Sequence, residues 1–150
     1  MIHLQRTNAD DKDFQELVKV LDLELKIRDG EDHLFYAQLN KTDTIKHVIV
    51  GYDQNIPIAC GAIRYYSEDT MEVKRMFVPL EHRGNGIASI VLNELEIWSK
   101  ELNYKKCILE TGINQPEAIR LYEKNQYKRI PNYGKYENMA TSVCFEKELI

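Results

Sequence analysis

The feature that most constrains the fold is an abrupt change of hydrophobic period at Pro79. Before it, runs rich in β-branched and aromatic residues occupy 46–52, 56–66 and 70–78, separated by short polar turns. After it, residues 85–103 carry apolar side chains at spacings of three and four, which is typical of an amphipathic helix. Strands joined by short turns pair antiparallel, and a strand that returns through a helix pairs in parallel. The pattern predicts an antiparallel meander followed by a helical crossover.

The remaining segments complete a mixed sheet. The element order β-α-α-β-β-β-α-β-α-β-β predicts an α/β (α+β) fold, in which a mostly antiparallel central sheet of six or seven strands is flanked by about four helices. The predicted elements outside the meander and its helix are a strand over 2–7, a helix ending at Gly30, a short helix over 31–40, a strand over 105–110, a helix over 115–125 and a last strand after a Tyr-rich loop at 131–141.

Charge and cysteine usage exclude several classes of protein. The formal net charge is -4, and the 20 Lys and Arg residues are scattered, which argues against nucleic acid as the main partner. No apolar run approaches the ~18 residues of a membrane span, and no signal peptide is visible. Three distant cysteines without a CxxC pair predict neither a disulfide framework nor a metal site. We expect a cytoplasmic protein with one domain over residues 1–150.

A loop with two close glycines joins the meander to the helix. Gly84 and Gly86 are two of only seven glycines, and they lie where the helix begins. Residues without a bulky side chain let a ligand approach the backbone, and the free N–H groups of a first helical turn favour an anion such as a pyrophosphate. Arg83 would add a charge-assisted contact to a phosphate. The alternative is that the glycines serve only a tight turn.

Two nucleotide-binding motifs do not fit this loop. A Walker A loop requires a Lys followed by Ser or Thr, and neither is present. A dinucleotide-binding fingerprint requires a third glycine where Ser89 lies, and it would not follow an antiparallel meander. A nucleotide-binding domain is therefore the weaker hypothesis.

The same residues resemble those of a known family. Arg83-x-x-Gly86-x-Ala88 is similar to the Q/R-x-x-G-x-G/A acyl-CoA-binding motif of the GNAT N-acetyltransferases. Residues 72–79 resemble the fourth strand of that family, and residues 114–127 resemble its second conserved block. Asn125-Gln126-Tyr127 replaces the Gly-Phe or Gly-Tyr that often ends this block. The resemblance covers residues 45–149 well and the first 45 loosely.

The resemblance implies a GNAT acyl-CoA N-acyltransferase fold and an activity. A primary amine of a small molecule, peptide or protein would attack the thioester of acetyl-CoA directly in a ternary complex, without a metal. In the family, the fourth and fifth strands splay apart, and the N–H groups of Met76 and Val78 would face the thioester carbonyl and the pantetheine. The implied cofactor-binding residues are Met76, Phe77, Val78, Arg83, Gly84, Asn85, Gly86, Ile87, Ala88, Asn114 and Tyr122.

The general base is predicted to be Glu72. It precedes Arg83 by eleven residues, as does the catalytic glutamate in the histone-acetyltransferase branch of the family. It also shares strand parity with Met76 and Val78, which predicts that the three side chains lie on one face. A Glu72–Lys74 pair on a solvated face is the structural alternative. A water chain, or Glu110 at the end of the fifth strand, is the alternative base.

The general acid is predicted to be Tyr122, which matches the family's tyrosine on the helix after the fifth strand. Its ordinary pKa of about 10 suits a proton donor at neutral pH. The alternative is a core aromatic residue. Asn114 would contact CoA or the adjacent backbone, and a helix N-cap region is the alternative for this residue.

The acceptor side resembles the family least. Tyr133 and Tyr136 lie in a loop similar to one that covers the acceptor site in a bacterial subgroup, and they are candidate substrate-binding residues. His33 and Tyr36, on the expected helix over 31–40, would reach the same pocket. The acceptor amine stays open, a homodimer is possible by analogy with the family, and a non-catalytic acyl-CoA-binding module is the alternative function.

Overall fold

The computed structural model of the protein describes residues 1–30 and 45–150. Within them, seven strands form one sheet in the order β1-β2-β3-β4-β5-β7-β6. The strands are β1 (Ile2–Thr7), β2 (His47–Asp53), β3 (Ile56–Ser67), β4 (Thr70–Phe77), β5 (Lys106–Gly112), β6 (Lys128–Ile130) and β7 (Ser142–Glu148). The α-helices are α1 (Lys12–Asp29), α2 (Ile87–Glu101) and α3 (Pro116–Lys124).

The pairing confirms the mixed, mostly antiparallel sheet. Strands β1 to β4 form an antiparallel meander, and α2 carries the chain to β5, which runs parallel to β4. β7 pairs antiparallel with β5 and with β6. The expected short helix over 31–40 lies outside the described residues, so three of the four expected helices can be compared, and all three are present.

The two faces of the sheet are covered by different helices. On one face, α1 buries Phe14, Leu17 and Leu21 against Val48 and Phe77. On the other face, α2 and α3 bury a larger core against the sheet, as the apolar stripe of α2 predicts. That second core includes Ile49, Val73, Val91, Leu95, Leu109 and Phe145. The sheet is thus the middle of three layers.

A groove opens where β4 and β5 separate. In the part of the chain that the structure describes, the two strands pair over three rungs, of which Glu72 opposite Ile108 is the last. Beyond that rung β5 continues beside β7 as far as Gly112. The edge of β4 from Val73 to Phe77 therefore has no ladder partner on the β5 side, and a ligand can approach its backbone.

A β-bulge interrupts β4 at Arg75, which has a φ of +58°. Lys74 lies opposite Ala62 of β3, whereas Phe77, three residues later, lies opposite Cys60, two residues earlier. β4 therefore contains one more residue than β3 between these rungs. An extra residue reverses the alternation of side chains between the two faces, so counting parity through Arg75 gives the wrong face.

Across residues 1–30 and 45–150, no helix combines the length and the apolar composition that crossing a membrane requires.

Candidate active site

The loop before α2 exposes backbone N–H groups. Gly86 is the N-cap of α2 with a φ of +74°, and Gly84 has a φ of +86°. These left-handed values favour glycine. Among the residues that the structure describes, a Cβ at either position would meet no atom within 4 Å, so open space faces the backbone on this side. Within the same residues, no side chain caps the first turn of α2. The first-turn N–H groups can therefore receive an anion, as the sequence predicts.

A cavity of about 500 Å³ lies beside this loop. We call it the α2 cavity, and its lining includes Met76, Val78, Gly86, Ala88 and Tyr122. It lies between the end of β4, the start of α2 and α3. Its volume is in the range of pockets that bind cofactors and other small molecules.

Arg83 is held by protein groups at the mouth of this cavity. Its Nε donates to the carbonyl oxygen of Val78 at 2.7 Å, and its Nη2 lies 3.0 and 2.9 Å from the two carboxylate oxygens of Glu24. The side chain therefore ties the loop to α1. A phosphate contact by Arg83, as expected from the sequence, would have to compete with Glu24.

Tyr122 reaches both the α2 cavity and the groove between β4 and β5. It is buried, and its ring packs edge-on against Tyr127 at 5.7 Å between centroids and near Phe145 at 6.0 Å. Burial raises the pKa of Tyr122, and the negative charge of Glu110 raises it further. The phenol is therefore protonated at neutral pH and can donate a hydrogen bond into either space.

Asn114 lies at the surface end of this region. Its Nδ2 donates to the carbonyl oxygen of Arg28 at 3.4 Å, so it bridges the β5–α3 loop to α1. The N-cap of α3 is Gln115 rather than Asn114. A CoA contact by Asn114 stays a prediction.

Glu72 is buried and fully engaged. Its Oε1 accepts from Arg64 Nε at 3.0 Å, and its Oε2 accepts from the Tyr133 hydroxyl at 2.6 Å. Only 4% of its side chain is exposed, so the alternative of a Glu72–Lys74 pair on a solvated face does not hold. Burial of a carboxylate is stabilised here by two donors, as buried charges require.

Glu72 does not share a face of the sheet with Met76 and Val78, contrary to the prediction from strand parity. Glu72 pairs with Arg64 of β3, on the same face as Ala62 and Cys60, which pack under α1. Met76 and Val78 pack with the core under α2. The bulge at Arg75 causes the difference, because it reverses the alternation between Glu72 and Met76. The three side chains therefore do not lie on one face.

The loop at 131–141 folds back onto the sheet. The ring of Tyr133 contacts those of Tyr66 and Tyr136 edge-on, with centroids 5.3 and 5.6 Å apart. Lys74 Nζ lies 3.3 Å from the Tyr136 hydroxyl. Tyr133 and Tyr136 line a second cavity of about 770 Å³, which we call the tyrosine cavity; its lining also includes Lys46, Arg64, Tyr66, Glu72 and Lys135.

Two charged residues in this region, Arg64 of the cavity lining and Lys74 of β4, were not among the predicted site residues. Both lie in strands with many apolar residues, and a charge at such a position was the available signal. Arg64 lies directly opposite Glu72 across the β3–β4 hairpin, where opposite charges attract. Burial lowers the pKa of Lys74, although the charge of Glu72 partly opposes the shift.

The groove between β4 and β5 shares Tyr122 with the α2 cavity. Its lining includes Lys74, Arg75, Glu110 and Tyr122, and its volume is about 90 Å³. Glu110 is half-buried and lies opposite Cys144 of β7, on the α1 side of the sheet. Arg75 Nη2 contacts Asp22 of α1 at 2.5 Å. The groove thus brings carboxylate, phenol and cationic groups into one narrow space.

Comparison with known proteins assigns this arrangement. The sequence model of the acetyltransferase (GNAT) family matches residues 12–127. The chain belongs to the GNAT family. It is 34% identical over 119 residues to a protein of Azospirillum brasilense named IAA acetyltransferase, which covers 79% of this chain and 77% of that protein.

Solved structures agree with the family. A Klebsiella pneumoniae protein assigned as an acyl-CoA N-acyltransferase superposes with a TM-score of 0.83 at 26% identity, covering 100% of this chain and 99% of that one. A GNAT acetyltransferase from Elizabethkingia anophelis, solved with acetyl-CoA bound, has a TM-score of 0.72 at 19% identity, covering 99% and 98% of the two chains. This GNAT chain is an acetyl-CoA-dependent N-acetyltransferase, and the findings favour catalysis over a binding module.

The other chemically reactive candidates of the GNAT chain either do not line the three described cavities or lie outside the described residues. Cys60, Cys107 and Cys144 are buried free thiols, and burial raises their pKa values to about 12, 11 and 11. Such thiols are poor nucleophiles. His33 and Tyr36 lie outside the described residues. In residues 1–30 and 45–150, no group of three or more His, Cys, Asp and Glu side chains is arranged to hold a metal ion.

Proposed function

We propose that the α2 cavity holds acetyl-CoA and that a primary amine, entering from the α1 side of the sheet, is acetylated by direct attack in a ternary complex. The observation that carries this proposal is the position of Tyr122, which lines both the α2 cavity and the groove between β4 and β5. One phenol can therefore reach a cofactor on one side and an acceptor on the other.

The residues of the α2 cavity fit this cofactor. The open backbone at Gly84 and Gly86 and the uncapped first turn of α2 would hold the pyrophosphate. At the edge of β4, the N–H of Met76 would face the thioester carbonyl and the N–H of Val78 would face the pantetheine. Phe77, Asn85, Ile87 and Ala88 complete the proposed cofactor-binding segment. Bound there, acetyl-CoA supplies an acetyl group activated as a thioester.

Tyr122 is the proposed general acid. Its raised pKa keeps the hydroxyl protonated over the physiological range. A phenol in this state stabilises charge that develops on a leaving thiolate by donating a hydrogen bond, which is worth most in a buried site. Tyr127 and Phe145 fix the ring in place, so the donor needs no reorganisation during the reaction.

Of the two candidate bases, Glu110 has the more suitable position. It lines the groove with Tyr122, whereas Glu72 lies at the last β4–β5 rung with Arg64 and Tyr133 on its two oxygens. Glu72 already accepts from two donors, and the described lining of the groove does not include it. We therefore propose Glu110, directly or through water, as the base and Glu72 as the second candidate.

The test of this function is Tyr122→Phe, which keeps the ring and removes the hydroxyl. We expect kcat to fall by about 10²-fold or more, in the range of general acid–base catalysis, while calorimetric affinity for acetyl-CoA stays within a factor of about two. Turnover would be followed by release of the CoA thiol. Unchanged kcat in this variant would remove Tyr122 from the chemistry, and binding without turnover in the unmodified protein would return the binding-module hypothesis.

A further inference from the structure

The tyrosine cavity is positively charged within an acidic protein. Three cationic side chains, Lys46, Arg64 and Lys135, line it together with one carboxylate, that of Glu72. Glu72 is already bonded to Arg64 and Tyr133. The two lysines are exposed at the cavity, while the whole chain carries a net charge of -4. The local excess of positive charge therefore favours a ligand with an anionic group.

Flat aromatic walls enclose the same space. The ring of Tyr133 contacts those of Tyr66 and Tyr136 edge to face, at 5.3 and 5.6 Å between ring centroids, respectively. Tyr133 is fixed further by its hydrogen bond to Glu72. Rigid aromatic walls of this kind pack well against another flat ring. A cavity of about 770 Å³ accommodates a small molecule.

One hydrogen bond links a residue of the cavity wall to a residue of the groove. Tyr136 lines the cavity, and its hydroxyl contacts Nζ of Lys74, which lines the groove. Arg75 follows Lys74 in the same groove, and its buried Nε has no hydrogen-bond partner among the residues that the structure describes. Cationic groups thus extend from the cavity to the place where Tyr122 and Glu110 meet.

We infer that the acceptor is a small primary amine that also carries an aromatic ring and a carboxylate. The amine enters the groove, the ring lies among the tyrosines of the cavity, and the carboxylate lies at Lys46 and Lys135. This inference rests on the proposed acetyl transfer. The cationic surroundings have a second effect, because they disfavour the ammonium form of the acceptor and so help to deliver the neutral amine that attacks. They also exclude polycationic amines.

The inference is tested with a matched pair of acceptors, 4-(aminomethyl)benzoate and benzylamine. They share the ring and the aminomethyl group and differ in the carboxylate. With acetyl-CoA saturating and thiol release as the readout, we expect kcat/KM for the benzoate to exceed that for benzylamine by about tenfold or more, the factor that about 1.4 kcal/mol represents. Equal values, or a preference for benzylamine, would overturn the inference.

The variant K46E/K135E provides the second arm. It reverses the charge of both lysines of the cavity, and we expect the preference for the benzoate to disappear, because its carboxylate would then meet like charges. The control K12E/K128E makes the same change in net charge at two exposed lysines that line none of the three cavities. It should keep the preference, and an equal loss in both variants would count against recognition within the cavity.

The outcomes separate this inference from the proposed function. If spermidine is acetylated and neither member of the pair is, the acceptor class is wrong and acetyl transfer stands. If acetyl-CoA binds and none of the three amines is acetylated, the inference is overturned together with the proposed transfer.

Discussion

The α2 cavity and the tyrosine cavity lie at opposite ends of β4 and are lined by different groups. The first exposes backbone at Gly84, Gly86 and Ala88, and charged side chains such as Glu24, Arg83 and Arg120 also line it. The second presents charged and aromatic side chains from β3, β4 and the loop at 131–141. A site made of backbone depends on local chain geometry, whereas a site made of side chains depends on which distant segments meet. The comparison explains why the two sides were unequally visible in the sequence.

The largest expected effect is the loss of kcat on removing the proposed base, Glu110. We expect Glu110→Gln to lower kcat by about 10²-fold or more, because the groove would lose its proton acceptor while its shape is kept. The matched variant Glu72→Gln should affect kcat much less, since Glu72 is bonded to Arg64 and Tyr133 rather than open to the groove. Steady-state kinetics across pH 6 to 9 would measure both. A larger loss in Glu72→Gln would exchange the two roles.

The backbone character of the α2 cavity predicts an effect on cofactor affinity alone. Gly86→Val places a β-branched residue at a φ of +74° and directs its side chain into the open space of the loop. We expect the Kd for acetyl-CoA to rise about tenfold or more, consistent with losing roughly 1–2 kcal/mol of anion contacts, and the acceptor KM to change little.

Gly30→Val is the control for backbone strain. Gly30 has a φ of +57° and similarly open surroundings, but it lines none of the three cavities. The two variants should lose comparable thermal stability, and only Gly86→Val should lose affinity for acetyl-CoA by calorimetry. A similar loss of affinity in both would show that strain, not approach to the backbone, weakens binding.

The smallest expected effect is that of a variant in the tyrosine cavity. Tyr133→Phe removes the hydrogen bond to Glu72 and keeps the ring against Tyr66 and Tyr136. A hydrogen bond to a charged group contributes about 1.5–3 kcal/mol, so Tm should fall by several degrees for a domain of this size. The acceptor KM should rise several-fold while the Kd for acetyl-CoA is unchanged. A shift in the acetyl-CoA Kd alone would contradict the division between the two cavities.

Most of the fold was predictable because periodicity records burial directly. The meander, the parallel β4–β5 pair and the helices at 87–101 and 116–124 follow from patterns within single segments. The glycine loop was predictable for the same reason, since Gly84 and Gly86 are separated by a single residue and share one backbone function. Of the catalytic candidates from the sequence, Tyr122 and the alternative base Glu110 line the groove, whereas the described lining does not include Glu72, the base that the sequence favoured. The three roles stay predictions.

The acceptor side was less predictable for a physical reason. Arg75 adopts a left-handed φ without being glycine or asparagine, so the sequence gives no signal for the bulge that separates the face of Glu72 from that of Met76. The pairing of Arg64 with Glu72 required the register of two strands. The contact between Tyr133 and Glu72 spans 61 residues, and no local pattern records it.

The bulge at Arg75 gives β4 an uncommon property. Upstream of it, Glu72 and Lys74 face the layer of α1, and downstream of it Met76 and Val78 face the layer of α2. In a strand without a bulge these four alternate residues would share one surface, and a change at any of them would disturb its neighbours. Here the one extra residue places the two pairs on opposite faces of the sheet, so a change in one pair does not directly contact the other. Substitutions upstream can therefore alter the choice of acceptor while the cofactor surface is inherited unchanged.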